Sequence, residues 1–326
     1  MSKCLSAPLL ALAALFSGAA HAAEEAPCMG FFVNWAKRAD GGDAGGREAN
    51  LRARETALGA APSSLLALDF YGVDSWEEMR GYRWIPAYWT RQNPKRRLIW
   101  SIALTTKGVP LARIAAGGHD ADFTEAARTI AAAQPDAVIR IGWEMNGDWY
   151  PWAAKGVEAD YIAAFRRVRG IFHSASGRFT FAWTPNAGAM AGSPDLAYPG
   201  DDVVDTIGLD IYDAPSPLTP AAAWEAAYSG PFGLAWLEEF SRRHRKPMHL
   251  GEWGVGLLNG PDNPLFVEKM RDWLRHHARS IAFHVYFDVS TSDLESGRFP
   301  KSRKRFYELF AAGDGKGDSR ASSCAR

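Results

Sequence analysis

Eight short apolar runs recur along the chain, and this rhythm constrains the fold more than any other feature. They cover residues 29–36, 64–72, 97–105, 137–143, 179–184, 204–211, 248–251 and 281–287. Each leads into a loop carrying Gly, Asp or Asn. Runs this short and this continuously apolar fit strands buried on both faces, the pattern of a parallel sheet. Parallel strands need crossovers. Helix-period stretches supply them at 121–133, 159–173, 221–243 (broken near Gly230 and Pro231), 263–278 and 306–312. In the second, Tyr161, Phe165, Val168 and Phe172 share one face. The expected fold is α/β: a (β/α)8 TIM barrel, one domain over residues 23–312. A doubly wound open sheet is the competitor, but no G-x-G-x-x-G turn follows the first run.

Composition narrows the partners. The chain has 326 residues, enough for one large core, and Lys+Arg and Asp+Glu balance at 37 each. No basic excess points to nucleic acid, and no segment is long enough to span a membrane. A monomer is expected. The N-terminus reads as a signal peptide over 1–22, with Lys3, an apolar run at 9–16 and Ala20-His21-Ala22 as a small-x-small cleavage pattern. The expected location is therefore secreted or periplasmic. Cleavage leaves Cys28 and Cys324, which invite a disulfide tying the barrel's ends; two unpaired thiols are the alternative. The tail 313–326 is polar and glycine-rich.

A barrel places its chemistry at the C-terminal ends of the strands. Polar and aromatic residues gather there: Asp69, Glu144, Asn146, Trp183, Asn186, Asp210, Tyr212, Glu252, Trp253 and Asp288. Glu144 lies in IRIGWEMNGDWYPW, beside aromatic rings that would desolvate its carboxyl group and raise its pKa. Glu252 lies in KPMHLGEWG. Glycoside hydrolysis needs two carboxyl groups flanking one bond, and strands four and seven face each other across a barrel mouth. Arg140, four residues before Glu144, would point into the barrel and keep Glu252 ionised, or form a packing ion pair. With no H-E-x-x-H and no paired Cys spacing, neither metal nor cofactor is expected. The stretch GGDAGG at 41–46 reads as a flexible loop, and SRKRF near Ser302 as a solvated helix start. The aromatic segment GYRWIPAYWT at 81–90 is either a packed loop or a distal sugar subsite.

Five segments, in order, carry a resemblance: RIGWEMNGDWYPW, YIAAFRRVRGIF, FAWTPN, YPGDDVVDTIGLDIYD and KPMHLGEWG. Together they resemble glycoside hydrolase family 26 over about 34–288. These are (β/α)8 retaining enzymes, mostly β-mannanases with some β-glucanases and β-xylanases. The resemblance implies that Glu144 is the acid/base and Glu252 the nucleophile. It implies that Trp149 lines the subsite of the cleaved sugar and that Tyr212 hydrogen-bonds the nucleophile. Asn186 and Asp210 are expected on substrate hydroxyls or just behind them, and Trp183 and Trp253 as strand-end platforms. One position departs: the family usually has His before the acid/base, and here it is Trp143, which is expected to line the substrate site in its place. That His contacts the sugar near its 2-hydroxyl, where mannose and glucose differ, so mannan is the less secure substrate. Strands three and eight, LIWSIALTT and IAFHVYFD, also lack the His and Arg expected of a mannanase. The expected activity is a retaining endo-β-glycanase on a β-linked polysaccharide of mannan or glucan type. Alternatives are a non-catalytic carbohydrate-binding barrel, or a hydrolase or transglycosylase acting on bacterial exopolysaccharide.

Overall fold

A computed structural model describes residues 27–35, 46–72, 74–213, 218–256 and 260–311. The signal-peptide region, residues 36–45, Cys324 and the tail 313–326 lie outside the described residues, and so does the expected pairing of Cys28 with Cys324. Eight parallel strands close a barrel in chain order. They are β1 (Cys28–Val33), β2 (Leu66–Tyr71), β3 (Leu98–Ile102), β4 (Val138–Ile141), β5 (Thr180–Trp183), β6 (Thr206–Tyr212), β7 (Met248–Gly254) and β8 (Ile281–Asp288). Each falls on one of the eight apolar runs. The ring is sealed by β1 against β8, with Cys28 to Val33 opposite Phe283 to Asp288.

Strand alternation divides the side chains between two cores. On β6, Ile207, Leu209 and Ile211 join the large apolar layer under the helices. Thr206, Gly208, Asp210 and Tyr212 then turn inward. Leu66, Leu68, Ile99, Val138, Ala182, Phe283 and Val285 fill the lumen as a separate cluster. The barrel is a packed plug below and a site above.

Ten helices are described: α1 (Gly46–Leu58), α2 (Trp76–Gly81), α3 (Trp84–Gln92), α4 (Leu111–Ala115), α5 (Asp120–Ala133), α6 (Glu158–Ala175), α7 (Pro220–Ser229), α8 (Leu234–His244), α9 (Pro264–His276) and α10 (Pro300–Phe310). The break between α7 and α8 falls at Gly230 and Pro231, as the sequence suggests. The segment 81–90 is mostly helical, because Pro86 sits in the first turn of α3, where its missing N–H costs nothing. In SRKRF the neighbours of Ser302 are exposed, but Ser302 itself is buried and donates to Asp262. Among the described residues no helix is long and apolar enough to cross a membrane.

Candidate active site

Glu144 sits in the turn that follows β4, with a left-handed backbone of φ 54°. A non-glycine residue there is strained by about 1–3 kcal/mol. Two bonds hold it: its N–H donates to the Thr184 carbonyl at 2.7 Å, and its own carbonyl accepts from Gly147 N at 3.0 Å. The side chain is equally fixed. Oε2 accepts from Trp149 Nε1 at 2.7 Å, and Oε1 accepts from Asn186 Nδ2. Asn186 is in turn clamped by Asn146, whose Nδ2 donates to the Asn186 carbonyl and whose Oδ1 accepts from Asn186 N, both at 2.8 Å.

Glu252 reaches the lumen by an irregularity. On β7, His249 and Gly251 face inward, and strict alternation would send Glu252 out under the helices. The pairing with β6 slips by one residue: Leu209 lies opposite Leu250, but Asp210 lies opposite Glu252. This bulge turns Glu252 into the mouth and lets Trp253 resume the outward face. Gly251 is the inserted residue. A Cβ there would lie 2.6 Å from both Arg140 Nη1 and Asp210 Oδ1, so only glycine leaves room.

Arg140 ties the floor together. Its Nη2 donates to Glu252 Oε1 at 2.5 Å, its Nη1 reaches both oxygens of Asp210 at 2.8 Å, and its Nε donates to Ser101 Oγ at 2.9 Å. Tyr212 Oη donates to the other Glu252 oxygen at 2.6 Å. One carboxylate oxygen each from Glu144, Asp210 and Glu252 lies within 4.8 Å of the others. Three acids this close are also spaced like metal ligands, but the guanidinium of Arg140 already bonds two of them. Burial, then repulsion from Glu252, pushes the Glu144 carboxyl up to about 7. Burial also raises Asp210 well above the usual range against the pull of Arg140. For Arg140 burial acts downward, but Asp210 and Glu252 outweigh it and keep the guanidinium charged.

The structure therefore brings Glu144, Glu252, Arg140, Asp210, Tyr212, Asn186 and Trp149 together, with Trp149 still 48% exposed beside Glu144. Three expected contact residues are elsewhere. Trp183 and Trp253 are fully buried on the helix side, against Phe240 and Phe306 respectively, so neither offers a platform. Outward alternation on β5 and β7 is the reason. Trp143 is also fully buried, packed edge-on or tilted among Tyr150, Trp152 and Phe70, with the Arg140 guanidinium 5.2 Å from its ring. It supports the floor rather than facing a cleft. Trp152 beside it is also buried and donates to the Trp143 carbonyl.

Sequence reading missed an aromatic wall. Phe32, Phe70 and Phe287, from β1, β2 and β8, are partly buried at the top of the lumen. Phe32 lies 4.9 Å from each of the other two, and Phe287 is 6.1 Å from Tyr212. Counting alternation along FFV, LDFY and VYFD would have revealed them.

Comparison with known proteins bears on the barrel and on part of the chain. Residues 121–227, which carry Glu144, Asn186, Asp210 and Tyr212, match the sequence model described as Glycosyl hydrolase family 26. Over that stretch the chain is similar to glycoside hydrolase family 26. The chain is 26% identical over 206 residues to Endoglucanase H of Acetivibrio thermocellus, covering 60% of the chain and 22% of that protein. It is 22% identical over 161 residues to a β-1,3-xylanase of a Vibrio species, covering 49% of the chain and 32% of that protein. The chain thus spans less than a third of the length of either relative. Among solved structures, a Cellulomonas fimi endo-β-1,4-mannanase double mutant superposes with a TM-score of 0.65 at 18% identity, over 92% of this chain and 74% of that one. A Bacillus subtilis mannanase superposes with a TM-score of 0.57 at 14% identity, over 90% of both chains. At these identities the superpositions speak for the barrel alone.

Proposed function

We propose that the chain is a retaining endo-β-glycanase. One observation carries the reading: Glu144 and Glu252 oppose each other with carboxylate oxygens within 4.8 Å, in contrasting environments. Retaining glycosidases hold their carboxyl groups about 5–5.5 Å apart, and inverting ones leave room for a water between them. Glu144, with its pKa near 7, gives its proton to the glycosidic oxygen as the bond to the anomeric carbon breaks. Glu252, held by Arg140 and Tyr212, attacks that carbon and forms a glycosyl ester. Water then attacks the anomeric carbon, Glu144 takes the water's proton, and the bond to Glu252 breaks so that Glu252 leaves as carboxylate. Trp149, bonded to Glu144, borders an open groove of about 670 Å³ with Thr106 to Pro110, space for a chain to continue past the cleaved bond.

The substrate we propose is a β-linked polysaccharide. The names of relatives span endoglucanase, β-1,3-xylanase and endo-β-1,4-mannanase. Trp143 stands where the family usually has a sugar-contacting His and, being fully buried, offers the sugar no such contact, which weakens the case for mannan. The signal-peptide pattern supports action outside the cytoplasm. Incubating the full chain with mannan, mixed-linked glucan, cellulose derivatives and xylan, with product sizing, tests the activity. Glu144→Gln should abolish hydrolysis while preserving binding; near-normal turnover by that variant would refute the assignment. NMR of the earliest products should show the β-anomer, and an α-anomer would exclude the double displacement.

A further inference from the structure

A histidine is built into the barrel plug. His249 lies on β7, fully buried, with its imidazole turned into the lumen. It stacks on Phe283 of β8, with ring centroids 4.7 Å apart. Gly208, opposite it across the β6–β7 ladder, makes the space, since a Cβ there would collide with His249 Nε2. The plug is otherwise filled largely by apolar side chains such as Leu66, Ile99, Val138 and Phe283. Burial, and then the charge of Arg140, hold the imidazole well below its ordinary pKa, so it is neutral. A neutral imidazole has one donor and one acceptor nitrogen. Nε2 shares a hydrogen bond with Thr184 Oγ1 at 2.9 Å, and among the described residues the buried Nδ1 has no partner. A leucine would fill this space and leave no polar atom unmet. A ring kept here at that cost points to the bond that its other nitrogen makes.

Thr184 is where that bond acts. It directly follows β5, is fully buried, and its carbonyl takes the Glu144 N–H at 2.7 Å. Glu144 keeps its left-handed backbone only while such anchors hold. Two residues further on, Asn186 bonds the Glu144 carboxyl. Residues 184 and 186 thus grip the acid at its backbone and at its side chain. Thr184 in turn is fixed from β7, by a residue three positions before Glu252.

We infer that His249 is a positioning residue: its bond to Thr184 Oγ1 locks the carbonyl that holds the Glu144 backbone, and so aims the acid/base at the glycosidic oxygen. The role of Glu144 rests on the reading under Proposed function; the anchoring rests on the geometry. The test uses Thr184→Val, which keeps the shape and removes the hydroxyl, together with His249→Leu and the double variant, all in the full chain. Substrates are the glycan that the wild type cleaves and a 2,4-dinitrophenyl glycoside of a short oligosaccharide of that glycan, whose leaving group departs without a proton. On the glycan each single variant should lose about tenfold in kcat/KM, as a small misplacement of a reacting group costs, and the double variant no more than either. On the dinitrophenyl substrate kcat/KM should stay within about twofold of wild type. Unchanged kcat/KM on the glycan, equal losses on both substrates, or losses that multiply in the double variant would overturn the inference. Should His249→Leu fail to fold, Thr184→Val decides alone. Amide hydrogen exchange at Glu144, followed by NMR, reads the anchor without turnover. It should quicken in the variants while the amides of β3 keep their protection. If the wild type cleaves no glycan, the proposed function fails and this exchange decides: a quickened Glu144 amide supports the anchoring, and one as protected as in wild type overturns it.

Discussion

At the scale of single residues, the site works by placing three acids around one base. Glu144 acquires its high pKa from burial and from the charge of Glu252. As the proposed proton donor it must be protonated in the free enzyme, so kcat/KM should fall as pH rises through about 7. Replacing Glu252 with Gln removes the repulsive charge. The Glu144 carboxyl should then titrate lower, which NMR of a 13C-labelled carboxyl measures; an unchanged titration would mean burial alone sets it. Arg140→Met should be more damaging than any single change at Tyr212 or Asn186. It strands Asp210 and Glu252 as unpaired buried acids, a loss of about 3–5 kcal/mol by thermal or denaturant unfolding. Arg140→Lys should recover little, because one ammonium cannot reach Asp210, Glu252 and Ser101 together. Of this residue-level picture, the glutamates were legible from their strand-end motifs and Arg140 from its place in the strand before Glu144, while the bond from Tyr212 came from the family resemblance. The left-handed backbone of Glu144 was not, because no glycine or asparagine marks it.

At the scale of elements, the decisive feature is the bulge in β7. HLGEWG reads as a strand, but a regular strand would aim Glu252 away from the barrel. Only the Gly251 insertion reconciles inward His249 with inward Glu252. Gly251→Ala should therefore abolish activity while leaving the barrel folded. The new methyl would displace Arg140 or Asp210, and a circular-dichroism spectrum close to wild type together with lost turnover would show it. Wild-type activity would mean the bulge tolerates a side chain. Elements also explain where sequence reading stopped. The strands and the later helices carry plain apolar periodicity. The helix α1 does not, because its buried face includes Glu48 and Glu55, both bonded to the fully buried Arg96. A face made of salt bridges has no apolar stripe to find. The segment 81–90 resisted for another reason: a proline in a first helical turn looks like a break when no cap announces the helix.

At the scale of the whole molecule, closure by β1 and β8 sets a polar arc from β4, β6 and β7 against an apolar arc from β1, β2 and β8. The polar arc is an electrostatic load that the packed plug beneath must carry. That load has a measurable signature. The Glu144 pKa is about 7 in the folded chain against 4.5 for an ordinary glutamate. The folded state therefore holds this proton more tightly than the unfolded state does. The associated stability is complete below pH 4.5, is lost as pH rises toward 7, and is gone above it. The full amplitude is about 3 kcal/mol. Gln at 144 cannot titrate. It also meets two donors, from Trp149 and Asn186, with only one oxygen, which adds a penalty that does not depend on pH. The difference in unfolding free energy between Glu144→Gln and wild type should thus shift in favour of the variant between pH 4.5 and 7 and then level off. Parallel denaturation series across that range would reveal it. A difference that stays flat would mean the folded chain solvates the ionised Glu144, and the raised pKa that fits it to donate a proton would have to be abandoned with it.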